Sequence, residues 1–141
     1  WLLTRGERPG IGLGYRMASV GFDEPVESCA AAGGRIGSNH PWAILVMGDG
    51  SACRGERAPW YEDSRAQPYD DGVAAALAGA DLDALLGLDP ALSAELKVAG
   101  RAPWQVLAGA ARAAGGTWRA DLAYYAAPYG VAYFVATWEP A

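Results

Sequence analysis

The residues best placed to do chemistry follow an apolar run, residues 42–47, that ends abruptly in a polar turn, residues 48–51. A buried strand that ends in a glycine-rich turn is typical of the crevices where open α/β sheets bind their ligands. Asp49 and Ser51 are therefore candidate catalytic residues, which would orient a ligand or a water molecule at the crevice mouth. The alternative is turn chemistry, because Asp and Ser side chains also bond nearby backbone N–H groups.

A second group of candidates, for binding a ligand, comes just after the turn. Arg54 and Arg57 carry the positive charges that hold an anionic carboxylate or phosphate, although the acidic residues of the same stretch are equally suitable partners for them. Trp60 and Tyr61 lie in the same polar stretch, where core packing explains them less easily. They are candidates for lining a pocket or a contact surface.

Cys53 lies beside these arginines, and positive neighbours favour a thiolate. No histidine base lies near Cys53 in the sequence, so a Cys–His nucleophile is not supported. We expect a small buried or loop thiol here, and a small core residue at Cys29, the other cysteine.

The chain has too few histidines for a non-haem iron centre. Non-haem iron of the facial type is held by two histidines and one carboxylate, and the chain contains a single histidine, His40. His40 precedes Pro41 in a predicted loop, with no cysteine or carboxylate at a ligand spacing, so we expect it at the surface. The sequence predicts no metal site from this chain alone. Fe(II) would need ligands from a preceding segment or from a partner subunit.

Length and composition fit one globular domain. The chain has 141 residues, of which 52% are hydrophobic and 19% charged, enough to bury a core. The net charge of −5, without basic blocks, argues against nucleic acid and anionic membranes as partners. No apolar run is long enough to span a membrane. Two cysteines are too few for a disulfide scaffold, so we expect a reduced, cytoplasmic protein.

The first half of the chain predicts a strand, a helix and a second strand. A short strand is expected over residues 15–20, and a helix that Asp23 caps over residues 24–36. The run at 42–47 has no polar residue, which indicates a strand buried on both faces of a sheet. Residues 1–4 have the pattern of a helix end, so we expect the molecule to begin before Trp1.

The second half predicts a long polar loop, four helices and a C-terminal hairpin. The loop covers residues 48–71, and loops of this length in compact domains are typically functional or mobile. Helices are expected over residues 72–80, 82–88, 90–99 and 102–114, with Asp81 and Asp89 as N-caps. Two β-prone runs, residues 117–125 and 131–138, flank a Pro/Gly connector and predict an antiparallel hairpin. The order of elements predicts a mixed α/β sheet with helices on both faces.

Three segments carry a family resemblance: LVMGDGSACRGERAPWYEDSRAQPYD from Leu45, AGRAPWQVLAGAA from Ala99, and YYAAPYGVAYFVATW from Tyr124. They resemble an actinobacterial group of proteins similar to the catalytic subunits of class III extradiol ring-cleavage dioxygenases. The resemblance extends from about Tyr15 to Trp138. Proteins of that group are usually longer and begin with a further α/β portion that carries a histidine motif. The resemblance therefore implies the C-terminal part of such a domain.

What the resemblance implies is a three-layer α/β/α sandwich around a mixed sheet, and Fe(II)-dependent opening of a catechol-type ring by dioxygen. Asp49 and Ser51 would then sit beside the substrate, in a turn of the Ser-Gly-Asp-x-Ser-His type. This sequence keeps Gly48, Asp49 and Ser51 of that turn. It has Ala52 where the family has its acid/base histidine.

Two functions stay open on the sequence. One is an extradiol dioxygenase-like enzyme whose iron ligands come from outside this chain, with a small aromatic or anionic ligand. The other is a non-catalytic binding or assembly module on the same fold. Assembly into a homo-oligomer or a larger complex would use the free edge of the terminal hairpin, whose aromatic residues are otherwise expected to be core.

Overall fold

The protein has a mixed helix and strand architecture that ends in a two-stranded antiparallel hairpin. The computed structural model describes residues 4–7, 14–38 and 43–141, with side chains from residue 16 onward. Its elements are β1 Thr4–Glu7, β2 Gly14–Met17, α1 Val26–Gly37, α2 Ala66–Gly79, α3 Leu82–Leu86, α4 Pro90–Glu95, α5 Arg101–Ala114, β3 Trp118–Ala126 and β4 Tyr133–Pro140. None of these helices is long and apolar enough to cross a membrane.

Helices α1 and α5 cross at backbone contact distance, which two glycines make possible. A Cβ atom on Gly33 would lie 2.0 Å from the carbonyl oxygen of Val106, and one on Gly109 would lie 2.3 Å from that of Ala30. Any side chain at either position would collide with the facing backbone. Cys29, on α1, is fully buried, so the expected core role of this residue is confirmed.

A buried arginine ties the segment before α1 to the start of α5. Arg101 is 2% exposed and donates hydrogen bonds to the backbone carbonyls of Phe22 and Glu24, both at 2.5 Å. The predicted cap of α1 is wrong, because Pro25 rather than Asp23 occupies the N-cap position and no side chain caps the first turn. Arg101 thus holds, from the side, a helix start that has no cap of its own.

Helix α2 begins six residues earlier than predicted, so the polar loop is shorter than the sequence indicates. Asp63 fixes this start, because its carboxylate accepts bonds from the backbone N–H of Arg65 at 2.9 Å and from its guanidinium. The predicted caps of the next two helices are confirmed. Asp81 accepts from the N–H of Ala84, and Asp89 accepts from the N–H groups of Ala91 and Leu92.

The C-terminal hairpin is confirmed, with Trp118 opposite Pro140 at its open end. The inward side chains of β4 pack against the core formed by α2, α3, α5 and the loops between them. Trp138 also donates from its indole N–H to the carbonyl of Leu77 on α2, at 2.8 Å. This bond fastens the hairpin to the helical layer.

Predictions for the other strands fail in part. Thr4, predicted to end a helix, begins β1, which pairs antiparallel with β2; that strand ends at Met17 rather than at residue 20. Residues 43–47 belong to no helix or strand, and Leu45 and Met47 are 86% and 73% exposed instead of buried on both faces. A strand needs a neighbour to receive its backbone hydrogen bonds. The described residues supply none at this position.

Candidate functional site

The turn at residues 48–51 is pinned between the start of α5 and the hairpin by three backbone hydrogen bonds. The N–H of Gly100 donates to the carbonyl of Asp49 at 2.7 Å. The N–H of Gly50 donates to the carbonyl of Ala132 at 2.8 Å, and the N–H of Ala132 returns a bond to the carbonyl of Ser51 at 2.9 Å. The turn is therefore part of the packed body of the protein.

Close packing explains the second glycine of this turn. A Cβ atom on Gly50 would lie 2.7 Å from side-chain carbons of Ala132 and Phe134 and 2.8 Å from Oδ1 of Asp70. Real Cβ contacts are not that short, so no larger residue fits without a shift of its neighbours. The Gly-Asp-Gly-Ser pattern thus has a packing reason.

The carboxylate of Asp70, on α2, is the centre of the site. Asp70 is fully buried and accepts two bonds from Ser51, one from its backbone N–H at 2.9 Å and one from its hydroxyl at 2.6 Å. It also pairs with Nη1 of Arg54 at 3.2 Å. Buried carboxylates are tolerated when they are paired and hydrogen-bonded in this way. Ser51 is also fully buried, so its hydroxyl proton is committed to Asp70.

Arg54 extends this network to the hairpin. Its Nη1 donates to the hydroxyl of Tyr125 on β3 at 3.0 Å, and that hydroxyl donates to the carboxylate of Asp71 at 2.5 Å. Burial and the bond to Asp71 raise the pKa of Tyr125 to about 12. Burial lowers the pKa of Arg54, but the bonds to Tyr125 and Asp70 outweigh it and leave that pKa above its usual value. The network joins the loop, α2 and β3, and Tyr125 and Arg54 both keep their ordinary charge at neutral pH.

The two predicted catalytic residues, Asp49 and Ser51, face different surroundings. Ser51 is buried, whereas Asp49 is exposed. The Asp49 carboxylate has no hydrogen bond or ion pair with another described residue. The turn therefore does not aim these two side chains at one reacting atom.

The four predicted ligand-binding residues do not come together in one site either. Arg54 contacts α2 and β3, and Arg57 is exposed. Trp60 is 65% exposed with the Lys97 ammonium 5.2 Å from its ring centre, and Tyr61 is 46% exposed and donates to the carbonyl of Glu95. Trp60 and Tyr61 thus share the surface at the end of α4, while Arg54 belongs to the buried network.

The thiol of Cys53 is fully buried, and burial raises its pKa above the ordinary value. A raised pKa keeps the sulfur protonated at neutral pH, and the protonated form is a poor nucleophile. The expectation of a small buried thiol is confirmed. The two arginines that follow it do not activate it.

Among the described residues, no group of three or more His, Cys, Asp or Glu side chains could hold a metal ion. His40 and Trp42 lie outside the described residues, so the predicted surface position of His40 stays a prediction. The residues that the structure describes do not fit the two-histidine, one-carboxylate iron centre that the resemblance implies.

Sequence reasoning missed Asp70 and Tyr125, which organise the site. The sequence pattern places residue 70 in the polar loop, whereas it lies in the first part of α2. One signal could have found it: Asp70 falls on the same helical face as Val73 and Leu77, both buried. A carboxylate on an apolar helix face indicates a buried polar partner.

An apolar groove lies between residues 43–48, α5 and the hairpin, with a volume of about 430 Å³. Ile44 and Val46 line it from the 43–48 segment, Leu107 from α5, and Trp118 and Trp138 from the hairpin. Two of its lining residues, Ile44 and Leu45, are exposed to solvent.

Comparison with protein-family models, with curated proteins and with solved structures gives no match. The family resemblance of the three segments therefore stays an expectation from the sequence.

Proposed function

We propose that this chain is a non-catalytic binding and assembly module on a dioxygenase-like fold. The observation that carries the proposal is the apolar 43–47 segment. Three of its side chains, Ile44, Leu45 and Met47, are 41%, 86% and 73% exposed, beside the groove. Contiguous exposed apolar surface next to a groove is typical of an interaction site.

The polar turn supports the non-catalytic half of the proposal. A hydroxyl that takes part in proton transfer must reach the substrate within hydrogen-bond distance. Ser51 is fully buried and bonded to Asp70 instead, and Ala52 stands where the resembling family has its acid/base histidine. In this proposal the turn stabilises the fold of the module and provides no group that reacts with a substrate.

The architecture we infer for the module is the three-layer α/β/α sandwich with a mixed sheet. In that architecture the 43–47 segment is a strand of the sheet, and it gains its neighbouring strand on assembly. We also place the module in the cytoplasm, an inference supported by two free, buried thiols, Cys29 and Cys53.

The competing function is Fe(II)-dependent opening of a catechol-type ring, which rests on the resemblance of the turn. It needs iron ligands from outside the described residues, and exposed Asp49 is the turn residue left to meet a substrate. One experiment separates the two functions. The purified protein is incubated anaerobically with Fe(II), desalted, and assayed for bound iron and for oxygen uptake with catechol.

We expect no stoichiometric iron and no oxygen uptake above that of a buffer control with free Fe(II). Stoichiometric iron together with catechol-dependent uptake would overturn the proposal. In that case the Asp49→Asn variant would show whether this carboxylate takes part, because the substitution keeps the size of the side chain and removes its charge.

A further inference from the structure

We propose that the outer edge of the Arg54 guanidinium binds a small molecule through a single carboxylate. The outer edge consists of Nε and Nη2, the two nitrogens that bond neither Asp70 nor Tyr125. This inference rests on the proposed binding function and names the chemistry of the ligand.

Arg54 leaves two of its three nitrogens unused within the described residues. Nη1 makes both bonds, to the Asp70 carboxylate at 3.2 Å and to the Tyr125 hydroxyl at 3.0 Å, whereas Nε and Nη2 bond no described residue. Neither of these nitrogens is among the buried side-chain atoms that lack a partner, so both reach the surface, although the side chain as a whole is only 19% exposed. A ligand can therefore approach this edge in the folded protein.

The geometry of the outer edge matches a carboxylate. The N–H of Nε and one N–H of Nη2 point the same way in a planar guanidinium, so each can donate to one oxygen of the same carboxylate. Such a bidentate pair combines attraction of opposite charges with a fixed direction of approach. A lysine ammonium at this position would offer the charge without the planar pair of donors.

The guanidinium is held in place before a ligand arrives. Asp70, which is fully buried, pairs with Nη1, and the central carbon of the guanidinium lies 5.9 Å from the centre of the Tyr125 ring. That ring is stacked in turn on Phe134, with centroids 5.0 Å apart. A side chain that is already ordered loses little further conformational entropy on binding, which favours affinity.

Charge favours a ligand with a single negative charge. Asp70 neutralises Arg54, and the carboxylate of Asp71 accepts from the Tyr125 hydroxyl, so the network has an excess of negative charge. This excess repels a phosphate, which has up to two charges at neutral pH, more than it repels a monocarboxylate. Salt and water screen the repulsion at the surface, so we expect a weak, millimolar carboxylate site.

Two-dimensional proton–nitrogen NMR of the intact, nitrogen-labelled chain tests this site, with sodium acetate as the probe at constant ionic strength. We expect a saturable shift of the Arg54 Nε–H signal, which is assigned by its absence from the Arg54→Lys spectrum. Arg54→Lys should raise the dissociation constant at least about tenfold, the equivalent of one lost charged hydrogen bond. The matched control is Arg57→Lys, the same change at an exposed arginine three residues on, and it should leave the affinity unchanged.

Inorganic phosphate is the second probe and should bind at least about threefold more weakly than acetate. A folded wild-type chain without a saturable acetate shift at Arg54 overturns the proposal, as does phosphate that binds more tightly than acetate. Equal effects of Arg54→Lys and Arg57→Lys overturn it too.

Circular dichroism shows whether each variant is folded, and Tyr125→Phe provides a second variant. It removes the hydroxyl that helps to orient the guanidinium and should weaken acetate binding at least about threefold. An unchanged affinity in folded Tyr125→Phe contradicts the proposed pre-organisation and overturns the proposal if Arg54→Lys does not fold. Failure of this site is distinguishable from failure of the proposed function, because acetate shifts test the first and iron-dependent oxygen uptake tests the second.

Discussion

Asp70 accepts hydrogen bonds from both the backbone N–H and the hydroxyl of Ser51, nineteen residues earlier in the chain, at 2.9 and 2.6 Å. The two bonds use both carboxylate oxygens and close the polar turn onto α2. Arg54 adds its guanidinium to the same carboxylate and passes the connection to β3. Ser51, a catalytic candidate in the sequence, and Arg54, a ligand-binding candidate, therefore help to hold the polar loop, α2 and β3 together.

Loss of the Asp70 charge should destabilise the protein strongly. In Asp70→Asn the side chain can no longer accept at both oxygens, so Ser51 and Arg54 lose part of their buried hydrogen bonding. We expect the free energy of unfolding to fall by about 3 kcal/mol, measured by urea denaturation. The control is Asp71→Asn, next along α2 and exposed, with an expected loss under about 1 kcal/mol. Equal losses for the two variants would contradict the central place given to Asp70.

A methyl group at Gly50 should be costly for a packing reason. It would have to enter the space between Ala132, Phe134 and Asp70, so Gly50→Ala is expected to lose about 2 kcal/mol of stability. Gly72→Ala is the matched control, because Gly72 is exposed in α2 with nothing within 4 Å of a new Cβ. There the same change should gain about 0.5–1 kcal/mol from helix propensity. A Gly50→Ala variant as stable as the wild type would show that the turn is packed less closely than these distances imply.

The sequence predicts those parts of the fold that local signals determine. Helix α5 closes at Gly115, whose φ of 72° suits glycine, and α3 and α4 begin at aspartate caps. The hairpin follows from two β-prone runs and a short connector. Helix caps, glycines and turn residues determine the backbone conformation only within a few residues along the chain. Their effects can therefore be predicted from the sequence alone.

Contacts between distant positions could not be predicted in this way. Residues 43–47 have the composition of a buried strand, but a strand also requires a neighbour, which composition does not reveal. The partnership of Ser51 with Asp70 spans α2 and the loop before it. Asp70 falls in the predicted polar loop, so its place on the same face as Val73 and Leu77 becomes visible only once the true start of α2 is known.

The phenol of Tyr69 should make stability fall at alkaline pH. Burial raises its pKa from 10.0 to about 12, so the folded state keeps its proton after the unfolded state has lost it. The stabilisation is complete below pH 10 and is lost as the pH rises toward 12, with a total of about 3 kcal/mol. The free energy of unfolding, measured across this pH range, should fall less for Tyr69→Phe than for the wild type. Parallel curves of stability against pH for the two proteins would show that Tyr69 has the same pKa in the folded and unfolded states.

The two cysteines should be unreactive in the native protein. Cys29 and Cys53 are fully buried, and burial raises the pKa of both thiols. A thiol reagent such as Ellman's reagent should modify them slowly at neutral pH and completely once the protein is unfolded in guanidinium chloride. Fast modification of Cys53 in the folded protein would mean that its arginine neighbours do activate it.

The most direct test of a structural role for the turn is a double-mutant cycle between Ser51 and Asp70. The free energy of unfolding is measured by urea denaturation for the wild type, Ser51→Ala, Asp70→Asn and the double variant. We expect a coupling energy of about 1–2 kcal/mol, because residues in one buried hydrogen-bond network do not act independently. Additive effects of the two substitutions would contradict the account and would return the Ser51 hydroxyl to the candidates for catalysis.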